Sequence, residues 1–181
     1  MKSLIFSTPM VKALLAGTKT QTRRPLKPQP VGKFLKPPFK PGDLLWVRET
    51  WASCTSDGKT CYLYKAWPQF DTCEPGDIDW NWRPSIHMPR EAARIFLKVT
   101  DVRAERLQDI DNGDAESEGC FGIPCSCNGG CGDCLDTCWV ESPVKQFWNL
   151  WDLIYAKKPE YQWDANPWVW NIAFERTEAT K

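Results

Sequence analysis

Apolar and polar residues alternate most regularly over "ARIFLKVTDV", residues 93–102, which predicts the clearest β-strand of the chain. Shorter strands are predicted at 3–7, at 18–24, within 41–51, at 61–66 and at 166–176, where β-branched or aromatic residues lie between turn residues. The pattern therefore predicts a protein built mainly of short strands.

Helical spacing is confined to three segments. A short apolar helix is predicted between Pro9, which suits the first helical position, and Gly17, a natural C-terminal stop. Asp111 can cap a short acidic helix that runs through Glu118, and Ser142 can cap a longer amphipathic helix over 143–155. The predicted order of elements is a strand, a helix, then mostly strands, with a helix before the last strand. This order indicates the α+β class and a small mixed β-barrel.

The 181 residues predict one domain, 1–181, with three irregular insertions. These are a Pro-rich loop at 25–41, a Trp- and Pro-rich loop at 67–92 and a Cys-rich insertion at 120–139. The alternation of strands and helices that a doubly wound sheet needs is missing, and the sequence has no Gly-rich phosphate loop.

Charge is balanced overall but unevenly distributed. Residues 1–40 carry nine Lys or Arg and no acid, whereas residues 101–118 carry seven acids and two Arg, and the net charge is zero. A zero net charge argues against tight non-specific duplex binding. Two interpretations stay open: the basic face meets a phosphate or a small anionic group, or the two segments pair with each other.

The N-terminus "MKSLIFSTPM" has too short an apolar run for a signal peptide, and the sequence has no stretch that would span a membrane. We therefore expect a cytoplasmic protein without membrane contact, in which thiols stay reduced.

The insertion holds six cysteines within "CFGIPCSCNGGCGDCLDTC". Cys131-x-x-Cys134 beside a Gly pair is typical of a metal knuckle. Zinc needs four thiolate or imidazole ligands, and a closed site of four Cys is the usual structural solution. The loop therefore predicts a structural zinc site, with free thiols or extracellular disulfides as the alternatives. Its candidate ligands are Cys125, Cys127, Cys131, Cys134 and Cys138, with Cys120 as a further candidate.

Four phrases together resemble one known family: "FSTPMVKALLAGTKTQTRR", "PGDLLWVRETW", "WRPSIHMPREAARIFLKVTDVRAERLQDI" and "NPWVWNIAFER". They are similar to the ASCH domain family of the PUA-like superfamily, and most similar to the ASCH proteins of phages and prophages. The resemblance implies a small PUA-like mixed β-barrel with flanking helices. It also implies a cleft suited to RNA, nucleotides or nucleosides, so that a nucleoside or single-stranded RNA is the expected partner.

Some small members of that family are amidohydrolases that remove the acetyl group from the exocyclic amine of N(4)-acetylcytidine. They use a Lys, a Thr three residues later and a Glu on the helix after the long strand. Lys19, Thr22 and Glu118 fall on these positions, and Arg24 matches the basic residue that follows the Thr. Many other members have no established activity. A non-catalytic RNA or modified-base binding module, and a phage accessory protein docking on another protein through the Cys-rich loop, therefore remain alternatives.

The chemistry of these three residues sets a geometric condition. A threonine becomes a nucleophile when a base takes its proton, and a lysine whose pKa is lowered by burial or by nearby positive charge can do so. Glu118 can then pass a proton to the leaving amine. Residues three apart on a strand face opposite sides, so Lys19 must reach Thr22 round the Gly17 turn or across a bulge.

Further residues are candidates for substrate contact because they supply positive charge, hydrogen bonds or stacking surface. The sequence has a single histidine, which argues against a two-histidine ribonuclease mechanism, and a lone histidine is more often structural than functional. A tryptophan near the predicted cleft can stack on a base or pack in the core. The predicted substrate-binding residues are Arg23, Arg24, Arg48, Glu49, Trp51, His87 and Arg90.

Overall fold

The computed structural model describes residues 1–30, 36–56, 59–68, 81–124 and 139–178. The chain is α+β, as predicted, and more of the described residues are in strands than in helices. The strands are β1 (Lys2–Ile5), β2 (Gln21–Pro25), β3 (Leu44–Arg48), β4 (Trp51–Ser56), β5 (Lys59–Tyr64), β6 (Phe96–Arg106), β7 (Ile123–Pro124), β8 (Trp139–Glu141) and β9 (Trp168–Thr177). The α-helices are α1 (Thr8–Leu15), α2 (Asn112–Ser117) and α3 (Pro143–Tyr155).

Five strands form one sheet in the order β1-β3-β6-β9-β2. The β1 strand pairs with β3 in parallel, β3 with β6 antiparallel, and β2 with β9 antiparallel. Two further pairs, β4-β5 and β7-β8, are two-stranded. The sheet has β1 and β2 at its two ends, so the strands of the described ranges do not close into the predicted barrel.

The chain divides into two compact units, and β6 and β9 contribute residues to both. Unit 1 comprises Met1–Gly17, Phe39–Thr100 and Phe174–Lys181. Its helix α1 has Ser7 as N-cap and Pro at the start, and it ends just before Gly17, which has a φ of +78°. That left-handed conformation suits glycine, so the predicted stop is confirmed.

The β4-β5 hairpin of unit 1 covers an aromatic cluster. Trp46, Trp51, Tyr64, Met88 and Ala92 are all buried and form this cluster. The Tyr64 hydroxyl donates to the Ala92 carbonyl at 2.6 Å, which satisfies the one polar atom of that ring inside the core.

Unit 2 comprises Thr18–Pro38 and Asp101–Ala173. Both predicted caps are confirmed: the Asp111 carboxylate accepts from the Asp114 amide at 2.7 Å, and the Ser142 hydroxyl from the Lys145 amide at 3.2 Å. The apolar faces of α2 and α3 share one core, whose buried members are Leu107, Ile110, Ala115, Cys120, Phe147, Trp151 and Val169. This core fixes the end of α2, where Glu118 lies.

None of the helices in the described ranges is both long and apolar enough to cross a membrane. Three predicted features lie partly outside those ranges: residues 31–35 of the Pro-rich loop, 69–80 of the Trp-rich loop and 125–138 of the Cys-rich insertion. The interpretation of 1–181 as one domain stays a prediction.

Candidate functional site

Lys19 lies in the connection between α1 and β2 and contacts the end of α2. The Thr20 amide donates to the Ser117 carbonyl at 2.8 Å, which holds this connection beside the last turn of the helix. The Lys19 Nζ donates to the Glu118 carbonyl at 2.7 Å and to Glu118 Oε2 at 2.6 Å. Residues 99 positions apart in the sequence thus form a direct ion pair.

Both partners of this pair are buried. Lys19 is 2% exposed and Glu118 is 4% exposed. Burial lowers the pKa of Lys19 from its ordinary value of 10.5; the Glu118 charge and hydrogen bond oppose this change, and the Arg24 charge adds to it. The amine therefore gives up its proton at a lower pH than an exposed lysine does, which is the property that a general base requires.

Arg23 is the second cation on Glu118. Its side chain is 0% exposed, and each of its three guanidinium nitrogens donates to a carboxylate. Nε reaches Glu105 Oε1 at 2.7 Å, Nη2 reaches Asp114 Oδ2 at 2.6 Å, and Nη1 reaches Glu118 Oε1 at 3.4 Å. Lys19 and Arg23 therefore share the two oxygens of one buried carboxylate.

Two amide side chains hold the other two carboxylates of Arg23. Gln21 Nε2 donates to the Asp114 carbonyl at 2.9 Å and to Asp114 Oδ1 at 3.0 Å. Asn171, the residue opposite Arg23 on β9, donates from Nδ2 to Glu105 Oε1 at 3.1 Å. Pairing between the basic N-terminal segment and the acidic 101–118 segment, one of the two open interpretations, is thus confirmed for Lys19 and Arg23.

Thr22 lies between Gln21 and Arg23 on β2, and strand alternation determines which face of the sheet it takes. Gln21 and Arg23 both contact the acidic groups of α2, so alternation puts Thr22 and Arg24 on the other face. Thr22 is 2% exposed and stands opposite Ile172 of β9. Lys19 precedes the first residue of β2, so strand alternation does not decide which face of the sheet its side chain takes.

Arg24 and Cys120 interact electrostatically with Lys19, and Arg24 and Glu118 do so with Tyr155. Burial raises the pKa of Tyr155, and the charge and hydrogen bond of Arg24 oppose that rise. Burial raises the pKa of the Cys120 thiol to about 11, and the Lys19 charge opposes it. The pair thus has a phenol, a thiol and a third cation as titratable neighbours.

The Cys120 thiol should resist alkylation. Cys120 is buried and its pKa is about 11, whereas Cys61 of β5 is exposed. The thiolate is the reactive form, so we expect iodoacetamide at pH 8 to modify Cys61 at least about tenfold faster than Cys120. Peptide mass spectrometry over time measures both rates in one sample. Equal rates in the folded protein would contradict the burial of Cys120.

The other predicted substrate contacts belong to unit 1, whereas Lys19, Thr22, Arg23, Arg24 and Glu118 belong to unit 2. Glu49 is 1% exposed, and both of its oxygens accept from Arg94, at 2.9 and 2.8 Å. The Arg94 guanidinium also lies 4.2 Å from the Tyr64 ring centroid.

Four more of the predicted contacts are placed within unit 1. Arg48 lies over the Trp46 ring at 5.0 Å, and Trp51 is buried in the aromatic cluster. His87 and Arg90 are exposed, in 3₁₀ helices at Ser85–His87 and Arg90–Ala92. Their roles as substrate contacts stay predictions.

The predicted zinc ligands Cys125, Cys127, Cys131, Cys134 and Cys138 lie outside the described residues. Within the described ranges, no group of three or more His, Cys, Asp or Glu is arranged to hold a metal ion. The structural zinc site therefore stays a prediction from the spacing of the cysteines.

Sequence reasoning missed four residues of these networks: Glu105, Asp114, Asn171 and Arg94. The acidic run that contains Glu105 and Asp114 was visible as a charge pattern, but the pattern did not select its members. Asn171 and Arg94 carry no local signal, because each acquires its partner only when distant segments meet.

Comparisons with known proteins give one distant structural likeness. No family model matches the chain, and no curated protein matches it. The chain is similar in structure to protein EF3133 from Enterococcus faecalis V583, whose crystal structure is described with the family model DUF984. The TM-score is 0.48 at 9% sequence identity, over 99% of this chain and 82% of that chain.

Proposed function

We propose that the chain binds an acylated nucleoside or nucleobase and hydrolyses the amide on its exocyclic amine, as in N(4)-acetylcytidine. Lys19 is the base, Thr22 the nucleophile and Glu118 the proton shuttle. The observation that carries the proposal is the buried hydrogen bond of 2.6 Å between Lys19 Nζ and Glu118 Oε2. The resemblance of the Lys-x-x-Thr…Glu positions to the ASCH amidohydrolases supports the same three residues.

The proposed reaction has two halves. Lys19 takes the Thr22 hydroxyl proton while Oγ1 bonds to the acyl carbonyl carbon. The proton passes along the hydrogen bond to Glu118 and on to the exocyclic nitrogen as the C–N bond breaks, so the free amine leaves. Water then attacks the acyl-threonine ester with Lys19 as base, which releases the carboxylic acid and restores Thr22.

Burial of the three residues favours a small acyl group in the proposed reaction. Lys19, Thr22 and Glu118 are each at most 4% exposed, so a small acyl group such as acetyl can approach them more easily than a bulky one. A site that excludes water also strengthens the electrostatic interactions that stabilise developing charge. We therefore expect acetylated cytosine to be hydrolysed faster than its benzoylated analogue.

Loss of the base should remove activity. In Lys19→Met, we expect the turnover of N(4)-acetylcytidine to fall by about 10²–10⁴-fold, the usual contribution of a general base. Chromatography of released cytidine gives the rate for each variant. The matched control is Lys157→Met, because Lys157 is an exposed lysine of the same unit.

The control variant should keep the wild-type rate. Turnover by Lys19→Met at the wild-type rate, or the absence of turnover in the wild-type protein, would contradict the proposal. If the wild-type protein binds N(4)-acetylcytidine without cleaving it, the non-catalytic binding module is the function that replaces it.

A further inference from the structure

We propose that Arg23 is the positioning residue of this site: it holds one oxygen of Glu118, so that the other oxygen and the Glu118 carbonyl face the Lys19 amine. This inference rests on the proposed function of Lys19 and Glu118. It assigns Arg23 a role different from the substrate contact that its basic sequence context predicts.

The burial of Arg23 is incompatible with a surface role. The side chain is 0% exposed, and all three nitrogens donate to carboxylates that come from two different elements, β6 and α2, and from the residue after α2. Its guanidinium also lies 5.9 Å from the Phe147 ring centroid, against the core side of α3. A substrate would have to displace an ion pair to reach it.

The geometry shows what Arg23 does to Glu118. A carboxylate with one strong donor can rotate, whereas a second donor on its other oxygen restrains that rotation. Lys19 occupies Oε2 at 2.6 Å and Arg23 occupies Oε1 at 3.4 Å. The planar fork of Arg23 is itself fixed by Glu105 and Asp114, so it is a rigid reference for Glu118.

Arg23 also affects the charge that Lys19 experiences. The charged and titratable groups that act on the Lys19 amine include Glu118, Arg24 and Cys120, and Tyr155 in turn interacts with Arg24 and Glu118. Because Arg23 pairs with the other oxygen of Glu118, it offsets part of the negative charge that holds the Lys19 proton. Without Arg23, Lys19 should retain its proton to a higher pH.

The first readout measures Lys19 directly and needs no activity. The Lys19 Cε resonance of lysine-labelled protein, assigned by its loss in Lys19→Met, is titrated in the wild-type protein and in Arg23→Gln. We expect the midpoint of Lys19 to rise by about one pH unit or more in Arg23→Gln. The matched control is Arg103→Gln, because Arg103 pairs with Glu105 at 2.8 Å and lies 3.7 Å from Asp114.

The second readout separates positioning from substrate contact. In Arg23→Gln we expect kcat on N(4)-acetylcytidine to fall at least about tenfold while KM changes less than about twofold. Arg23→Lys keeps the charge without the planar fork, so we expect a kcat between those of the wild-type protein and Arg23→Gln.

The outcomes are distinct. An unchanged Lys19 midpoint in Arg23→Gln would overturn the inference, as would a raised KM at constant kcat. A wild-type kcat in Arg23→Lys would show that the planar guanidinium is not needed, which would also overturn the inference. If Arg23→Gln does not fold, Arg23→Lys provides the test. If the wild-type protein hydrolyses nothing, the proposed function fails, whereas the titration of Lys19 still tests Arg23.

Discussion

Replacing Thr22 with valine should abolish turnover of N(4)-acetylcytidine and leave the fold intact. Valine has nearly the same shape as threonine and lacks only the hydroxyl, and Thr22 is 2% exposed within the paired strand β2. In the proposed mechanism the hydroxyl forms the covalent intermediate, so we expect a loss of at least about 1,000-fold in kcat, typical of removing a nucleophile.

A trapped intermediate provides a direct measurement. Mass spectrometry of wild-type protein quenched during turnover should show one added acetyl group on the peptide that contains Thr22, and Thr22→Val should show none. The matched control is Thr20→Val, because Thr20 is exposed and contacts α2 through its backbone amide. Turnover by Thr22→Val at the rate of this control would exclude Thr22 as the nucleophile.

Calorimetry on Thr22→Val distinguishes catalysis from binding alone. In the proposed mechanism this variant still binds N(4)-acetylcytidine, since the hydroxyl is needed for bond formation and not for recognition. If the wild-type protein and Thr22→Val bind equally and neither releases cytidine, the protein is a binding module of the kind that the sequence left open.

Replacing Arg94 with methionine should destabilise unit 1 strongly. Glu49 is 1% exposed and accepts two hydrogen bonds from Arg94, so the variant leaves a buried carboxylate without its cation. Removing one partner of a buried pair typically costs about 3–5 kcal/mol in the free energy of unfolding. The loss of the contact between Arg94 and the Tyr64 ring adds to this cost.

Urea denaturation at pH 7 measures the free energy of unfolding of Arg94→Met, and two further variants test whether the loss comes from the buried pair. Lys98→Met breaks an exposed pair of the same unit, Lys98–Glu175 at 3.1 Å, and should cost at most about 1 kcal/mol. Glu49→Gln combined with Arg94→Met should recover part of the lost stability, since no charge then remains buried. A cost in Arg94→Met no larger than that in Lys98→Met would contradict the structural role of the pair.

Local chemistry made the ends of the helices predictable. Asp111 and Ser142 each accept a hydrogen bond from an amide three residues later, and Gly17 follows the end of α1 in a left-handed conformation. Each feature involves only a few neighbouring residues, so a short stretch of sequence is enough to predict it. The alternation in 93–102 predicted the long strand, which starts at Phe96 and extends to Arg106. The predicted strand at 18–24 begins later, at Gln21, because the preceding residues bond to the end of α2.

The candidate site was predictable only in part. The sequence selected Lys19 and Glu118 as partners through resemblance, and their contact at 2.6 Å joins residues that no periodicity connects. The sequence also placed Arg23 and Glu49 among the substrate contacts, because a charged residue that will be buried cannot be told from an exposed one by its sequence alone. Burial is a property of the packed chain, and it is burial that gives both residues their ion-pair partners.

The sequence by itself determined the helix caps at Asp111 and Ser142, the helix stop at Gly17 and the presence of the long strand, because these features depend on near neighbours and on a repeating pattern. Tertiary structure alone decided which carboxylates meet Arg23, which guanidinium meets Glu49, and that the Lys19 amine lies in a buried environment that lowers its pKa. Charge pairing between residues up to 99 positions apart depends on packing geometry, and desolvation exists only once the core has closed.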